Sequence, residues 1–107
     1  MRQMNNIVYT VTTVDIYTDP ILGIRRTPVI FTQLHEAIFT VKNNIQDLSD
    51  AGTFQYIVIE ETQLNVIRPG LVTPLRRWWF KYNAALDEFV QDVAPAGLWN
   101  QVGFGIG

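Results

Sequence analysis

The chain has no cysteine, one histidine and one serine. Without thiols there are no disulfides, no thiolate catalysis and no cysteine-based zinc site, and the composition suits a reducing cytoplasm, where the protein is expected to reside. His35 and Ser49 are the sole imidazole base and serine nucleophile on offer. Both fall in one stretch of helical periodicity, where the fourteen positions between them span roughly 21 Å at the helical rise, so they form no relay. His35 reads as an ordinary helix residue without partners. The acidic residues Asp47, Asp50, Asp87, Glu88 and Asp92 lack metal-loop spacing and read as surface charges. No metal, no cofactor and no enzymatic activity are therefore expected.

Two further absences narrow the class. No apolar run approaches the roughly 18 residues of a membrane span. Residues 1–6 are polar, without the apolar core of a signal peptide, and Met4 offers an alternative start. The net charge is −2 at pH 7. A general binder of long nucleic acid needs a net basic face to displace counterions, so that class is set aside.

What is present is a chain of 107 residues, 48% of them apolar, which reads as one folded domain, 1–107, able to bury a core. Ile7 to Tyr17 is rich in Val, Ile, Thr and Tyr and reads as a first strand. Its apolar parity changes near Thr12 and Thr13, which predicts a bulge or twist there. Thr18-Asp19-Pro20 signals a turn, and a second extended piece runs from Ile24 to Phe31. Pro28 cannot donate to a ladder, so that strand is expected to be short, at an edge, or broken.

Thr32 is a plausible N-cap for the clearest element, a helix from Gln33 to Asp50. Leu34, Ala37, Ile38, Val41, Ile45 and Leu48 make one apolar stripe, and Gly52 supplies the stop. Thr53 to Thr62 is apolar on both faces and reads as a central strand. Leu64 to Arg68 continues or pairs with it before Pro69-Gly70 turns the chain. In Ala84 to Val93, Leu86, Phe89, Val90 and Val93 fit a helical stripe, while Asp87 to Asp92 equally fits the return arm of a hairpin. The glycine-punctuated end, Leu98 to Gly107, lacks the strand and helix that a phosphate loop requires and reads as close backbone packing or an edge strand.

The stretch Arg76 to Asn83 holds two of the three tryptophans. As a strand it sends Arg76, Trp78, Phe80 and Tyr82 to one face and Arg77, Trp79 and Lys81 to the other. In one reading all the aromatics are core and the two cations snorkel to water. In the other, Trp79 is an exposed flat surface between Arg77 and Lys81, with Arg76 and Arg68 nearby, suited to stacking a planar ligand and holding its phosphate. Glu60 and Glu61 point to opposite faces and read mostly as solvated, with Arg68, Arg76 and Arg77 as their candidate ion-pair partners across strands.

The succession Phe31-Thr-x-x-x-x-Ala37, Asn44-x-x-Asp47-Leu48, Tyr56-x-Val58-Ile59-Glu60-Glu61, Trp79-Phe-Lys-Tyr-Asn83, Pro95 and Gly103-Phe-Gly-Ile-Gly107 resembles a set of short, mostly uncharacterised proteins of phages and bacteria. The resemblance covers most of the chain and brings no activity with it. It implies a hairpin return strand after Asn83, and a stoichiometric role such as sequestering a host immune nucleotide or blocking a host protein. The expected fold is α+β, a mostly antiparallel sheet of four or five strands with one main helix on one face. The other face is expected to be closed by the C-terminal segment or a second copy in a homodimer. The expected function is a non-enzymatic binder of a small anionic, nucleotide-like ligand through Trp79, Arg77, Lys81, Arg76 and Arg68. The alternative is a protein-binding or assembly module with no small-molecule ligand.

Overall fold

A strand apolar on both faces belongs where both faces are covered, and the fold places it there. The computed structural model describes residues 7–15, 24–63 and 75–93, with β1 (Ile7–Asp15), β2 (Ile24–Phe31), α1 (Leu34–Lys42), β3 (Tyr56–Gln63), β4 (Arg76–Asn83) and β5 (Glu88–Asp92) in chain order. The strands form one open sheet, β2-β1-β3-β4-β5, with every neighbouring pair antiparallel. The fold is α+β, and β3 is its middle strand. The expected elements at residues 16–23, 64–74 and 94–107, Arg68 among them, lie outside the described residues.

The two sheet faces have different chemistry. On one, Val11, Ile57, Ile59, Phe80 and Phe89 form a buried cluster with Ala37 and Val41 of α1. Burying each aliphatic side chain there contributes about 1.5–3 kcal/mol. On the other, Val14, Val58 and Trp79 cluster with Tyr56, and Thr10, Thr12, Glu60 and Thr62 are buried alongside.

Two sequence expectations change and two others resolve. First, the irregularity expected near Thr12 and Thr13 falls there, between Val11 and Thr13 of the β1–β2 pair, while β1 stays in register with β3 from Ile7 opposite Gln63 to Val14 opposite Tyr56. The extra residue sits in β2, where Val11 faces Val29 but Thr13 faces Arg26. Pro28 falls within that irregularity on an edge strand, where its missing amide interrupts no continuous ladder. Second, Thr32 does not cap the helix. Gln33 occupies the N-cap position and makes no side-chain capping bond.

Third, the helix ends at Lys42, eight residues before Asp50. Asn44 adopts φ 48 and the chain closes the helix with Asn44 N–H donating to the Val41 carbonyl and Ile45 N–H to that of Thr40, both at 3.0 Å. That is the Schellman pattern, with asparagine taking the left-handed position usually given to glycine. Asn43 Nδ2 also donates to the Phe39 carbonyl at 2.8 Å. Of the last two residues of the predicted stripe, Leu48 packs on the core from a turn, while Ile45 is left 38% exposed. Fourth, of the two readings left open for Ala84 to Val93, the hairpin arm implied by the resemblance is the one that forms. Asn83 Oδ1 accepts the amides of Ala85 (3.0 Å) and Leu86 (3.3 Å), an Asx turn that reverses the chain into β5. Lys81 then lies opposite Val90, and Tyr82 opposite Phe89.

Candidate functional site

Strand β4 alternates as the sequence requires, but the exposure is the reverse of what the ligand reading needs. Trp79 is 7% exposed, enclosed with Val14 and Val58 and meeting Tyr56 edge-on at 6.5 Å between ring centroids. It is a core residue and offers no surface for stacking. Trp78, the expected core indole, is only half-buried on the helix side of the sheet.

The arginines are committed to carboxylates directly across the β3–β4 ladder. Glu60, with no exposed surface, receives Arg77 Nε at 2.8 Å. Glu60 is therefore not the solvated strand-end residue expected, and its ion pair lies beside Trp79 on the more polar face. A buried pair of this kind adds little net stability but penalises any other register of β3 on β4. Glu61 receives Arg76 through both Nε and Nη2, each at 3.0 Å, and the Tyr9 hydroxyl at 3.0 Å. The Arg76 guanidinium, on a side chain 62% exposed, also stands 5.0 Å over the Trp78 ring. Its hydrogen bonds hold the Glu61 carboxyl below the usual range, helped by Tyr9, while burial and then Glu61 push the Tyr9 phenol up. Of the five expected ligand residues, Trp79 is sealed, Arg77 and Arg76 are held by carboxylates, Lys81 is exposed and Arg68 lies outside the described residues. Among the described residues, the Trp79 ring is not an exposed platform on which the others could hold a stacked ligand.

A second polar assembly secures the loop that follows α1. Asn44 Nδ2 donates to Asp87 Oδ1 (2.9 Å) and to Ser49 Oγ (3.1 Å), and Asn44 Oδ1 accepts the Ser49 amide at 2.9 Å. Ser49 Oγ donates to Asp47 Oδ1 at 3.0 Å, and the Tyr82 hydroxyl donates to Asp87 Oδ1 at 2.6 Å. The Tyr82 bond, then that of Asn44, lowers the Asp87 carboxyl, and the same bond to Asp87 raises the Tyr82 phenol. Ser49 is thus buried and structural, in a turn rather than on α1, and His35 is exposed on the helix. Asp47 and Asp87 are exposed but hold this network. Among the described residues no group of three metal-ligating side chains occurs.

Among the described residues an apolar hollow lies between α1 and β5. A groove of about 590 Å³ is walled on one side by His35, Phe39 and Lys42 and on the other by Phe89, Val90 and Gln91. Phe39 is 64% exposed and Val90 46% exposed. The sequence carried a signal for this: Phe39 is a large apolar residue off the stripe that packs α1 on the sheet. A separate hollow of about 380 Å³ lies between β2 and the loop after α1, with Val29, Phe31 and Leu48 among its lining.

Comparison with protein-family models, with curated proteins and with solved structures finds no match. Among the described residues no helix is long and apolar enough to cross a membrane.

Proposed function

We propose that this protein is a non-enzymatic interaction module, working in the cytoplasm, that engages an extended segment of another protein through the side formed by α1 and β5. In this reading α1 closes one face of the sheet with Ala37 and Val41 while its outward side supplies one wall of the contact groove. The observation that carries the proposal is Phe39, an aromatic side chain left 64% exposed at the rim of a groove whose opposite wall is, among the described residues, an edge strand. Exposed aromatics beside an apolar hollow are the usual anchors of protein interfaces.

Sequestration of an anionic nucleotide, the other expectation from the sequence, loses its stacking surface with Trp79 enclosed. Mono-, di- and cyclic nucleotides are accordingly expected to leave the melting temperature unchanged, whereas a real site filled at 100 times its Kd would add about 2.7 kcal/mol.

The test of the interaction reading is affinity capture with quantitative mass spectrometry, using the full chain and two surface variants. Wild type and Glu36→Gln should retain one discrete protein in near-stoichiometric amount, and Phe39→Glu should lose it while keeping the same melting temperature. Retention unaffected by Phe39→Glu, or no retained protein, contradicts the proposal.

A further inference from the structure

We infer that the partner docks as an added strand along the outer edge of β5, and that its segment carries basic residues opposite Glu88 and Asp92 with apolar residues opposite Phe89 and Val90. This deepens the reading of the α1–β5 side as the contact surface and rests on it.

β5 is the last strand in the sheet order, so among the described residues its outer backbone groups have no ladder partner. Unpaired edge amides and carbonyls are a template for another strand. Natural edges are usually blunted by proline, a bulge or lysine. The opposite edge, β2, has both Pro28 and a register irregularity. β5, Glu-Phe-Val-Gln-Asp, has no lysine or proline and pairs with β4 in unbroken register.

The two sides of β5 are also shaped for alternating side chains. Its register with β4 places Phe89 and Gln91 on the helix face, beside the groove that Phe39 borders. Glu88, Val90 and Asp92 fall on the opposite face, where Lys81, Asn83, Val90 and Asp92 border a second hollow of about 410 Å³. A strand laid along β5 sends successive side chains alternately into these two concavities.

Charge then selects the occupant. Among the described residues neither Glu88 nor Asp92 forms an ion pair, and the Asp92 carboxylate accepts only the Val93 amide, at 2.8 Å, in its described hydrogen bonding. A second copy of β5 fits poorly, because the one antiparallel register that uses all five residues, centred on Val90, sets Glu88 of each chain against Asp92 of the other. Like charges directly opposite across strands repel, and opposite ones attract. The matching segment, read antiparallel to β5, is basic, polar, apolar, apolar, basic.

The experiment measures fluorescence anisotropy of the full chain with labelled peptides bearing Arg-Thr-Val-Ile-Arg between polar flanks. One control replaces both arginines with glutamate. A second keeps every side chain but N-methylates alternate amides, which blocks strand pairing. The basic peptide should bind at least about tenfold tighter than the acidic one, and the double variant Glu88→Lys/Asp92→Lys should reverse that order. The N-methylated peptide should not bind.

Equal binding of the N-methylated peptide overturns strand addition while leaving the groove as a contact surface, since Phe39→Glu would still abolish it. Binding insensitive to both Phe39→Glu and the charge reversal overturns the docking site itself. No binding of the basic peptide at millimolar concentration overturns the inference, and sedimentation as a dimer assigns the edge to a second copy instead.

Discussion

Replacing each of the two adjacent tryptophans by alanine separates the core indole from its neighbour. Trp79 is 7% exposed and enclosed with Val14, Val58 and Tyr56. An aromatic of this size removes about 200 Å² from water, which at about 25 cal/mol per Å² is about 5 kcal/mol. Part of that is recovered by relaxation around the cavity, so Trp79→Ala is expected to cost about 3–5 kcal/mol. Trp78 is half-buried and keeps one side toward Arg76, so its truncation leaves a dent rather than a cavity and should cost about 2 kcal/mol. Equilibrium urea unfolding of both variants reads the difference directly, provided the denaturant slope is unchanged. Equal losses, or a larger loss at Trp78, would refute the assignment of the two faces of β4 and with it the argument that moves the binding surface away from this strand.

Other consequences concern the loop after α1 and the titrating pairs. Asn44→Ala removes four side-chain bonds and a residue suited to φ 48, and should cost about 2–3 kcal/mol by thermal or urea unfolding. Asn44→Gly keeps the backbone and should recover part of that loss. Ala51 stands at φ 56, where a methyl group is strained, so Ala51→Gly should raise stability by about 0.5–1 kcal/mol. Glu61 and Asp87 have lowered folded pKa values. Their contribution is present above the ordinary carboxylate range and lost as pH falls through the lower folded values, so Asp87→Asn and Arg76→Leu should each flatten the acid limb of the stability profile. Tyr9 and Tyr82 are raised above 10.0. Their contribution is complete below pH 10 and disappears as pH rises through the folded values, so Tyr82→Phe should flatten the alkaline limb.

Much of the sheet was legible because burial on two faces leaves a short continuous apolar run that needs no tertiary knowledge. β3 was identifiable as central from Ile57, Val58 and Ile59, and Pro28 marked β2 as short, at an edge or broken, of which the edge position holds among the described residues. The helix was over-extended because Ile45 and Leu48 continue the apolar period. The period misled, since Leu48 packs on the core from a turn and Ile45 is exposed, and the stop was written in Asn43 and Asn44, whose side chains compete with the helical backbone. The return strand was ambiguous for a related reason: Leu86, Phe89, Val90 and Val93 mimic a stripe, yet only Phe89 of these is buried. The turn chemistry of Asn83 decided it.

The expected exposure of Trp79 failed on a single unknown. Alternation fixes that Trp78 and Trp79 face opposite ways, but not which face is covered, and the more polar face, with Thr10, Thr12, Glu60 and Thr62, proved to be buried. The ion pairs of Arg76 and Arg77 were foreseeable as cross-strand partners of Glu61 and Glu60 once β3 and β4 are neighbours. The α1–β5 groove was not, since it depends on a hairpin that periodicity alone does not favour.

The most direct measurement is amide hydrogen exchange along β5 in the full chain, with and without the basic Arg-Thr-Val-Ile-Arg peptide at saturation. Slowed exchange within residues 88–92, with Arg76 to Trp78 unchanged, is the result expected of an added strand on this edge. Protection confined to the Arg76–Trp78 region, with β5 exchanging as in the free protein, would contradict it.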